Sequence, residues 1–201
     1  MSMNRIAELA SSCRIIETEL EKIKQIALNS EFKEVCRFKV DDDDTTMFDA
    51  VADKMKGIYL LEIRRDVGHN YVDWINGFTK KFRGLDGAEK CFLHQFTPNI
   101  IEKRKYLHKD TNNEWIPFYM GKSKNIKERI KTHVFSELGR PPFALKLKGR
   151  RDKTDKFVFY DEEFRLKVLY LSGVEDKVYD AVVTHFEKVL RKKYSPIVGR
   201  Q

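Results

Sequence analysis

Residues 115–134 have the sequence WIPFYMGKSKNIKERIKTHV, and this stretch decides the fold. Its first part, 115–120, is apolar and aromatic, which is typical of a buried strand. Residues 121–125 contain glycine, serine and asparagine and predict a turn. From there on, apolar residues recur every four positions, at Ile126, Ile130 and Val134. That spacing puts them on one side of a helix, so the stretch predicts a strand-turn-helix unit.

Two polar side chains of this predicted helix face the same way. Arg129 and His133 are four positions apart, about one turn, so both can meet one substrate. Gly121 allows a close backbone approach at the strand-to-helix turn, and the helix N-terminus attracts an anion such as phosphate. A guanidinium binds phosphate through two parallel N–H bonds, a role that suits Arg129.

A second buried strand is predicted upstream. Residues 57–63 read GIYLLEI, a short apolar and aromatic run. Between the two strands, residues 64–114 are polar, contain Gly, Asn and Asp turn signals, and carry a helix signal around 98–108. We therefore expect residues 64–114 to be a long insertion that leaves the sheet and returns to it.

The chain downstream alternates between loops, strands and a helix. Residues 146–156 are basic and contain glycine, which indicates a loop. Residues 157–160 and 164–171 read as strands, forming a hairpin that turns at 161–163. Residues 176–193 predict a helix whose inward side carries Val178, Val182, Phe186, Val189 and Leu190.

The first 55 residues are expected to form a helical arm and an acidic linker, ahead of the main domain over 56–201. The arm has one apolar seam, formed by Ile6, Leu9, Cys13, Ile16, Leu20, Ile23 and Ala27. This seam packs on the parent domain or, as the alternative, pairs with a second copy in a homodimer. Four aspartates at 41–44 mark the linker, and without a shaped loop they do not suit a metal cage.

Composition limits the class of protein. The 39 Lys and Arg residues exceed the 31 Asp and Glu residues, and a formal net charge of +8 favours polyanionic partners. The three cysteines are widely spaced and form no C-x-x-C pair, so neither a disulfide framework nor a zinc site is expected. Without a long apolar stretch or a signal-peptide pattern, we expect a cytoplasmic protein with no membrane partner.

The two strands carry a recognisable pair of motifs. GIY at 57–59 and YMGKS at 119–123, with Arg129 and His133 following at matching positions, resemble the signature that names the GIY-YIG nuclease superfamily. Met120 stands where the family has isoleucine or valine. The order and spacing of these residues match the family's and form a specific pattern.

The resemblance covers residues 57–63 and 115–137 closely and 180–196 moderately. It implies an α/β fold with a small, mainly antiparallel central sheet flanked by helices. The N-terminal 55 residues lie outside it. Two features depart from the family: the insertion at 64–114 replaces a short hairpin turn, and 197–199 stands where many members carry an asparagine.

The resemblance also implies a role for each site residue. Tyr59 would activate the attacking water, with Tyr119 and His133 nearby to relay or accept the proton. Arg129 would hold the scissile phosphate. Glu187 would ligate one Mg²⁺ beside the leaving group, and Mn²⁺ can substitute for it.

The choice of Glu187 rests on the run EKVLRKKYSP at 187–196, which resembles the family's glutamate helix with its basic stretch and proline. Glu175 and Glu162 are the lesser candidates.

Several residues are candidates for DNA contact. The turn of the motif and the basic loop supply Lys122, Ser123, Lys146, Lys148, Arg150, Arg151 and Lys153. The insertion mixes cations and aromatic residues, which fits either a DNA-contacting element or a structural lid.

The expected function is therefore a metal-dependent endonuclease acting on double-stranded DNA. A compact chain with this motif resembles stand-alone restriction or phage-type members, which favours sequence-specific cleavage. The alternatives are a structure-specific or loosely specific nuclease and a non-catalytic DNA-binding protein on the same fold. Because a restriction enzyme must cut two strands, the N-terminal seam would offer a route to a dimer.

Overall fold

The computed structural model describes residues 2–40, 45–66, 68, 70–82, 104, 106–109, 111–136, 144–150 and 156–199. Its helices are α1 (Ser2–Asn29), α2 (Tyr71–Phe82), α3 (Ile126–Phe135) and α4 (Asp176–Tyr194). Its strands are β1 (Lys33–Lys39), β2 (Gly57–Arg64), β3 (Trp115–Ser123) and β4 (Glu163–Tyr170). Short 3-10 turns lie at Thr45–Phe48 and Leu147–Gly149. The chain is thus α/β, as predicted.

The four strands form one antiparallel sheet in the order β1-β4-β2-β3. β2 is an inner strand and every residue except Arg64 is buried, which confirms the buried strand predicted at 57–63. In the register, Tyr59 lies opposite Gly121 of β3 and Val168 of β4. β3 is an edge strand, so one of its sides is open to side chains from other elements.

The alternation of β2 divides the interior into two cores. Tyr59 and Leu61 point into the larger core, where the apolar side of α3 covers the sheet. Ile58 and Leu60 point to the opposite face and pack against the buried side of α4 and the C-terminal end of α1. The sheet therefore lies between helices, and α3 and α4 approach β3 from its two faces.

Part of the long insertion belongs to the core. Tyr71, Ile75 and Phe78 of α2 are buried against the larger core. Arg65, at the start of the excursion, donates hydrogen bonds to the carbonyls of Asn113 and Thr111, at its end. These hydrogen bonds hold the two ends of the insertion together, and α2 packs as part of the domain core.

Two predictions about strands were wrong. Residues 33–39, assigned with the N-terminal arm and linker, form β1, which pairs with β4 inside the main sheet. Residues 157–160 are not a strand, so the predicted hairpin is absent and β4 pairs with β1 and β2 instead. The apolar character of 157–160 has another cause, because Phe159 is a fully buried loop residue in the larger core.

Two predicted segments lie wholly or partly outside the described residues. The acidic run at 41–44 lies outside the described residues. Of the helix signal around 98–108, the structure describes Arg104 and residues 106–108, and 106–109 form turns. In the described part of the chain, no helix combines the length and the apolar character needed to cross a bilayer.

β2 and β4 are closely packed at Gly57, and a substitution there tests this packing. A Cβ at this position would lie 2.2 Å from the backbone oxygen of Leu169, so Gly57→Ala should destabilise the fold by about 3 kcal/mol. Gly77→Ala is the matched control: a Cβ there meets nothing within 4 Å, and alanine in a helix should stabilise by roughly 0.5–1 kcal/mol. Urea unfolding measures both; equal stabilities for the two variants would contradict the packing described.

Candidate active site

The predicted catalytic residues come from four elements and meet at β3. Tyr59 lies on β2, Tyr119 on β3, Arg129 and His133 on α3, and Glu187 on α4. The hydroxyl of Tyr59 and Nε2 of His133 are 2.7 Å apart. The ring of Tyr119 lies 6.2 Å from that of Tyr59 and 5.0 Å from that of His133, between ring centroids.

Gly121 makes room for the Tyr59 hydroxyl. A Cβ at Gly121 would lie 2.3 Å from Oη of Tyr59, which faces it across the β2–β3 ladder. The sequence predicted a glycine needed by the turn, but the glycine lies within β3 and its missing side chain provides the space. The turn itself is built by Ser123 and Asn125, and the Asn125 side chain caps α3 by accepting a hydrogen bond from the Glu128 N–H.

A backbone group fixes the tautomer of His133. The Leu145 N–H donates to Nδ1 of His133 at 2.9 Å, so the proton of the neutral ring sits on Nε2. Nε2–H then donates to the Tyr59 hydroxyl oxygen. Burial, with a smaller contribution from the Arg129 charge, lowers the pKa of His133 to about 3, so the ring is neutral. With both nitrogens committed, His133 cannot accept the Tyr59 proton, contrary to one of the roles expected from the sequence.

The two tyrosine hydroxyls continue this hydrogen-bond chain. Tyr59 is only 1% exposed, and burial raises its pKa well above the usual value, against a hydrogen bond from Arg129 that lowers it. The Tyr59 hydroxyl donates to Tyr119, which keeps some exposure. Burial raises the pKa of Tyr119, while Arg191 and Arg129 lower it. The chain therefore runs from His133 through Tyr59 to Tyr119, the member that keeps some exposure.

Glu187 lies on the α4 side of β3 and is held by cations. Its Oε1 accepts a hydrogen bond from Nη2 of Arg191 at 2.7 Å, and Nζ of Lys122 is 3.8 Å from Oε2. Nη2 of Arg191 also donates to the Met120 carbonyl at 2.8 Å, which ties α4 to the edge strand. Arg191 and Lys122 thus lie beside this carboxylate, and Arg129 acts on both tyrosines, a positive environment suited to an anion.

One carboxylate limits which metal the site could hold. Within the described ranges, no group of three or more His, Cys, Asp and Glu side chains is arranged to hold an ion. Glu187 alone fits Mg²⁺, which takes most of its ligands from water and phosphate oxygens. The lesser candidates lie elsewhere. Glu175 precedes α4, about three turns from Glu187. Glu162 lies just before the start of β4, at the opposite end of that strand from Val168, which pairs with Tyr59.

The basic segment differs from its prediction as a DNA-contacting loop. Lys146 and Arg150 are buried, with 0% and 2% exposure, so neither can meet DNA in this conformation. Arg150 instead donates to the Leu145 carbonyl, which supports the turn that presents the Leu145 N–H. Lys148 remains partly exposed and lies 5.8 Å from the Phe135 ring centroid. Arg151 and Lys153 lie outside the described residues.

The segment after α4 backs Tyr119 and is tied down by the insertion. Residues 197 and 198 donate their N–H groups to the carbonyls of Pro117 and Phe118 in β3. Arg104 of the insertion donates to the carbonyls of Pro196 and Gly199, and His108 donates to that of Ser195. Leu145, Arg191 and Arg104 were all missed by the sequence analysis. Of these three residues, only Arg191 had a signal in the sequence, because it lies in the basic stretch of the helix predicted at 176–193.

Comparison of the chain with models of protein families, with curated proteins and with solved structures gives no match in any of the three. A function must therefore be argued from the motif residues and the geometry that they adopt.

The neutral state of His133 predicts an acid-sensitive fold. A protonated ring would be buried beside Arg129, so the folded protein resists the protonation that the unfolded chain undergoes below its ordinary pKa near 6.5. The contribution is complete above pH 6.5 and is lost as the pH falls toward 3. Between pH 6.5 and 5 the wild type should lose about 2 kcal/mol more than His133→Gln.

Urea unfolding of both proteins at several pH values measures this difference. His108, whose pKa burial also lowers, is present in both and cancels in the comparison. Parallel stability curves for the two proteins would mean that His133 titrates alike in the folded and unfolded states.

Proposed function

We propose that this chain is a cytoplasmic, metal-dependent endonuclease of the GIY-YIG superfamily that hydrolyses phosphodiester bonds in double-stranded DNA. The observation that carries the proposal is the directed hydrogen-bond chain from His133 through Tyr59 to Tyr119. The Arg129 guanidinium and the Glu187 carboxylate act on both tyrosines. These five residues are those of the motif, and a water-activating group, a phosphate-binding cation and a metal ligand are what such hydrolysis requires.

Charge at the site supports a phosphate ligand. Arg129 can bind phosphate oxygens through two N–H groups, and Arg191 and Lys122 add positive charge on the other face of β3. Glu187 carries the opposite charge beside Arg191 and Lys122. A phosphodiester would reduce this excess of positive charge, and these fixed donors stabilise the further negative charge that develops during attack.

We assign the attacking water to Tyr119 and a positioning role to Tyr59, the reverse of what the resemblance implies. Tyr119 keeps some exposure, whereas Tyr59 is enclosed. The Tyr119 phenolate takes a proton from water as the water oxygen bonds to phosphorus and the bond to the 3′ oxygen breaks. The leaving oxygen takes a proton from solvent. The Tyr59 hydroxyl donates to Tyr119 and so favours its phenolate.

A divalent ion would be held by Glu187 together with phosphate and water oxygens. Mg²⁺, or Mn²⁺ in its place, supplies positive charge at the leaving oxygen when it is bound. Because Arg191 and Lys122 already offset the Glu187 charge, we propose that the ion binds well only when phosphate is present.

The preferred form of this activity is sequence-specific cleavage of the restriction type, with a modification enzyme as a companion. A structure-specific or loosely specific nuclease is the alternative, and a DNA-binding protein without activity is the second. The partly exposed Lys148 and the cations at β3 are the proposed contacts to the DNA backbone.

Cleavage of unmodified plasmid and phage DNA by the purified chain tests the proposal. With Mg²⁺ or Mn²⁺ we expect discrete fragments that vanish with EDTA, and rates at least about a hundredfold lower for Arg129→Lys and Glu187→Gln. Glu128→Gln is the matched control, because the exposed Glu128 makes only a loose 3.9 Å ion pair with Lys131. Its rate should equal that of the wild type.

The pattern of products separates the three alternatives. Cutting only at junctions, or at random, would replace the restriction form by the structure-specific or loosely specific one. Binding without cutting of linear, supercoiled and branched DNA, with either metal, would overturn the catalytic proposal and leave a DNA-binding module.

The assignment of the two tyrosines has its own test. Tyr119→Phe should lower the cleavage rate about a thousandfold and Tyr59→Phe only about tenfold, since the second variant keeps the Tyr119 hydroxyl to which the water is assigned. Because burial raises the pKa of Tyr119 above its ordinary value, the wild-type rate should rise about tenfold per pH unit from pH 7 to 9.

Single-turnover cleavage rates across that pH range measure both effects. The slope with pH should persist in Tyr59→Phe. A larger loss in Tyr59→Phe than in Tyr119→Phe would return the water-activating role to Tyr59.

A further inference from the structure

The N-terminal part of α1 exposes its apolar seam. Ile6, Leu9 and Ile16 are 68%, 64% and 57% exposed, and Cys13 between them is also exposed. The C-terminal end of the same helix behaves differently, because Ala27 is fully buried in the core that contains α4. The predicted packing of the seam on the parent domain thus holds only for its last part. Residues 5–19 extend beyond the domain and are all exposed.

The exposed apolar side of this segment needs a packing partner. A helix of about 15 residues is marginal in water by itself, and most helical stability in proteins comes from packing an apolar side. The steps of three and four from Ile6 to Ile16 give one continuous seam, which is the pattern of a helix that pairs with another helix.

The charges on this segment indicate what covers it. Residues 5–19 carry two positive side chains, Arg5 and Arg14, and three negative ones, Glu8, Glu17 and Glu19. The excess of negative charge disfavours DNA and anionic membranes, although the whole chain is strongly basic. The positive charge of Arg5 lies at one end of the segment and the negative charges of Glu17 and Glu19 at the other. A helix with opposite charges at its two ends is complementary to an antiparallel copy of itself.

We propose that residues 5–19 pair antiparallel with the same segment of a second copy of this chain. A two-fold axis near Ser11 places Ile6 opposite Ile16 of the second copy and Leu9 opposite its Cys13. Ala10 and Ser12 flank the seam near this axis, where their small side chains let the two helices approach closely.

The same register brings opposite charges together on both sides of the axis. Arg5 of each helix flanks the seam beside Glu19 of the other, which gives two symmetric ion pairs. A parallel pairing would instead leave Arg5 and Glu19 at opposite ends of the two helices, without these ion pairs, and would set the two Cys13 thiols facing each other. Charge therefore selects the antiparallel arrangement.

This pairing goes beyond the proposed nuclease activity and does not depend on it. If both hold, the dimer would carry two catalytic sites, one for each strand of a duplex. The pairing can be tested in solution without DNA, so its failure is distinct from a failure of the enzymatic proposal.

Sedimentation velocity over a roughly hundredfold range of protein concentration is the experiment. The wild type should pass from monomer to dimer, and Arg5→Glu or Glu19→Arg alone should weaken the dimer about tenfold. The double variant Arg5→Glu/Glu19→Arg restores opposite charges and should recover the wild-type affinity. Arg14→Glu is the matched control, since Arg14 lies away from the seam and should leave the affinity unchanged.

A second variant guards against loss of folding. Leu9 is exposed in the monomer, so Leu9→Glu should abolish the dimer while circular dichroism shows a folded domain. The proposal is overturned if the wild type stays monomeric at every concentration. It is equally overturned if the double variant fails to recover, or if mild oxidation links the dimer through Cys13, which would indicate the parallel arrangement.

Discussion

The enclosed hydroxyl of Tyr59 sets the requirements for everything around it. A polar group in the core needs hydrogen bonds, and it finds them in His133, Arg129 and Tyr119. The residue across the ladder must lack a side chain, which explains Gly121. His133 can donate only while the Leu145 N–H occupies its other nitrogen. A single buried oxygen thus links β2, β3, α3 and the turn at 144–150.

Some parts of this arrangement could be predicted from the sequence, and others could not. β2 and α3 were predictable because their apolar residues follow simple periods, and Tyr59 and His133 lie within those elements. β1 was missed although Val35 and Phe38 are apolar, because its charged residues and a register shift near Cys36 obscure the alternation. The Leu145 N–H carries no side-chain signal at all, and Lys146 and Arg150 look like surface cations until tertiary contacts bury them. The chemical groups of the site could be read from the sequence, whereas long-range packing decides their exposure and the positions of their protons.

An exposed strand edge is a hazard for a β-sheet protein because it can pair with another chain. Here two different groups contact the outer side of β3. Pro117 and Phe118 accept hydrogen bonds from the segment that follows α4, which closes that part of the edge. Farther along β3, Arg191 bonds to the Met120 carbonyl, and Lys122 brings a charge. The candidate site thus occupies the part of the edge that backbone pairing leaves open.

Hydrogen bonds join the two ends of the insertion where it leaves and re-enters the sheet, so the sheet does not depend on the length of the inserted chain. Arg65 holds the carbonyls of Asn113 and Thr111, and the Arg65 N–H donates to the Glu114 carbonyl at 2.8 Å, so the two ends of the excursion meet. For a flexible loop with fixed ends, doubling the length costs only about 0.6 kcal/mol in closure entropy. Insertions or deletions between α2 and Arg104 would therefore cost the fold little, so this part of the chain could change in length between relatives while the hydrogen bonds that link His133, Tyr59 and Tyr119 stay intact.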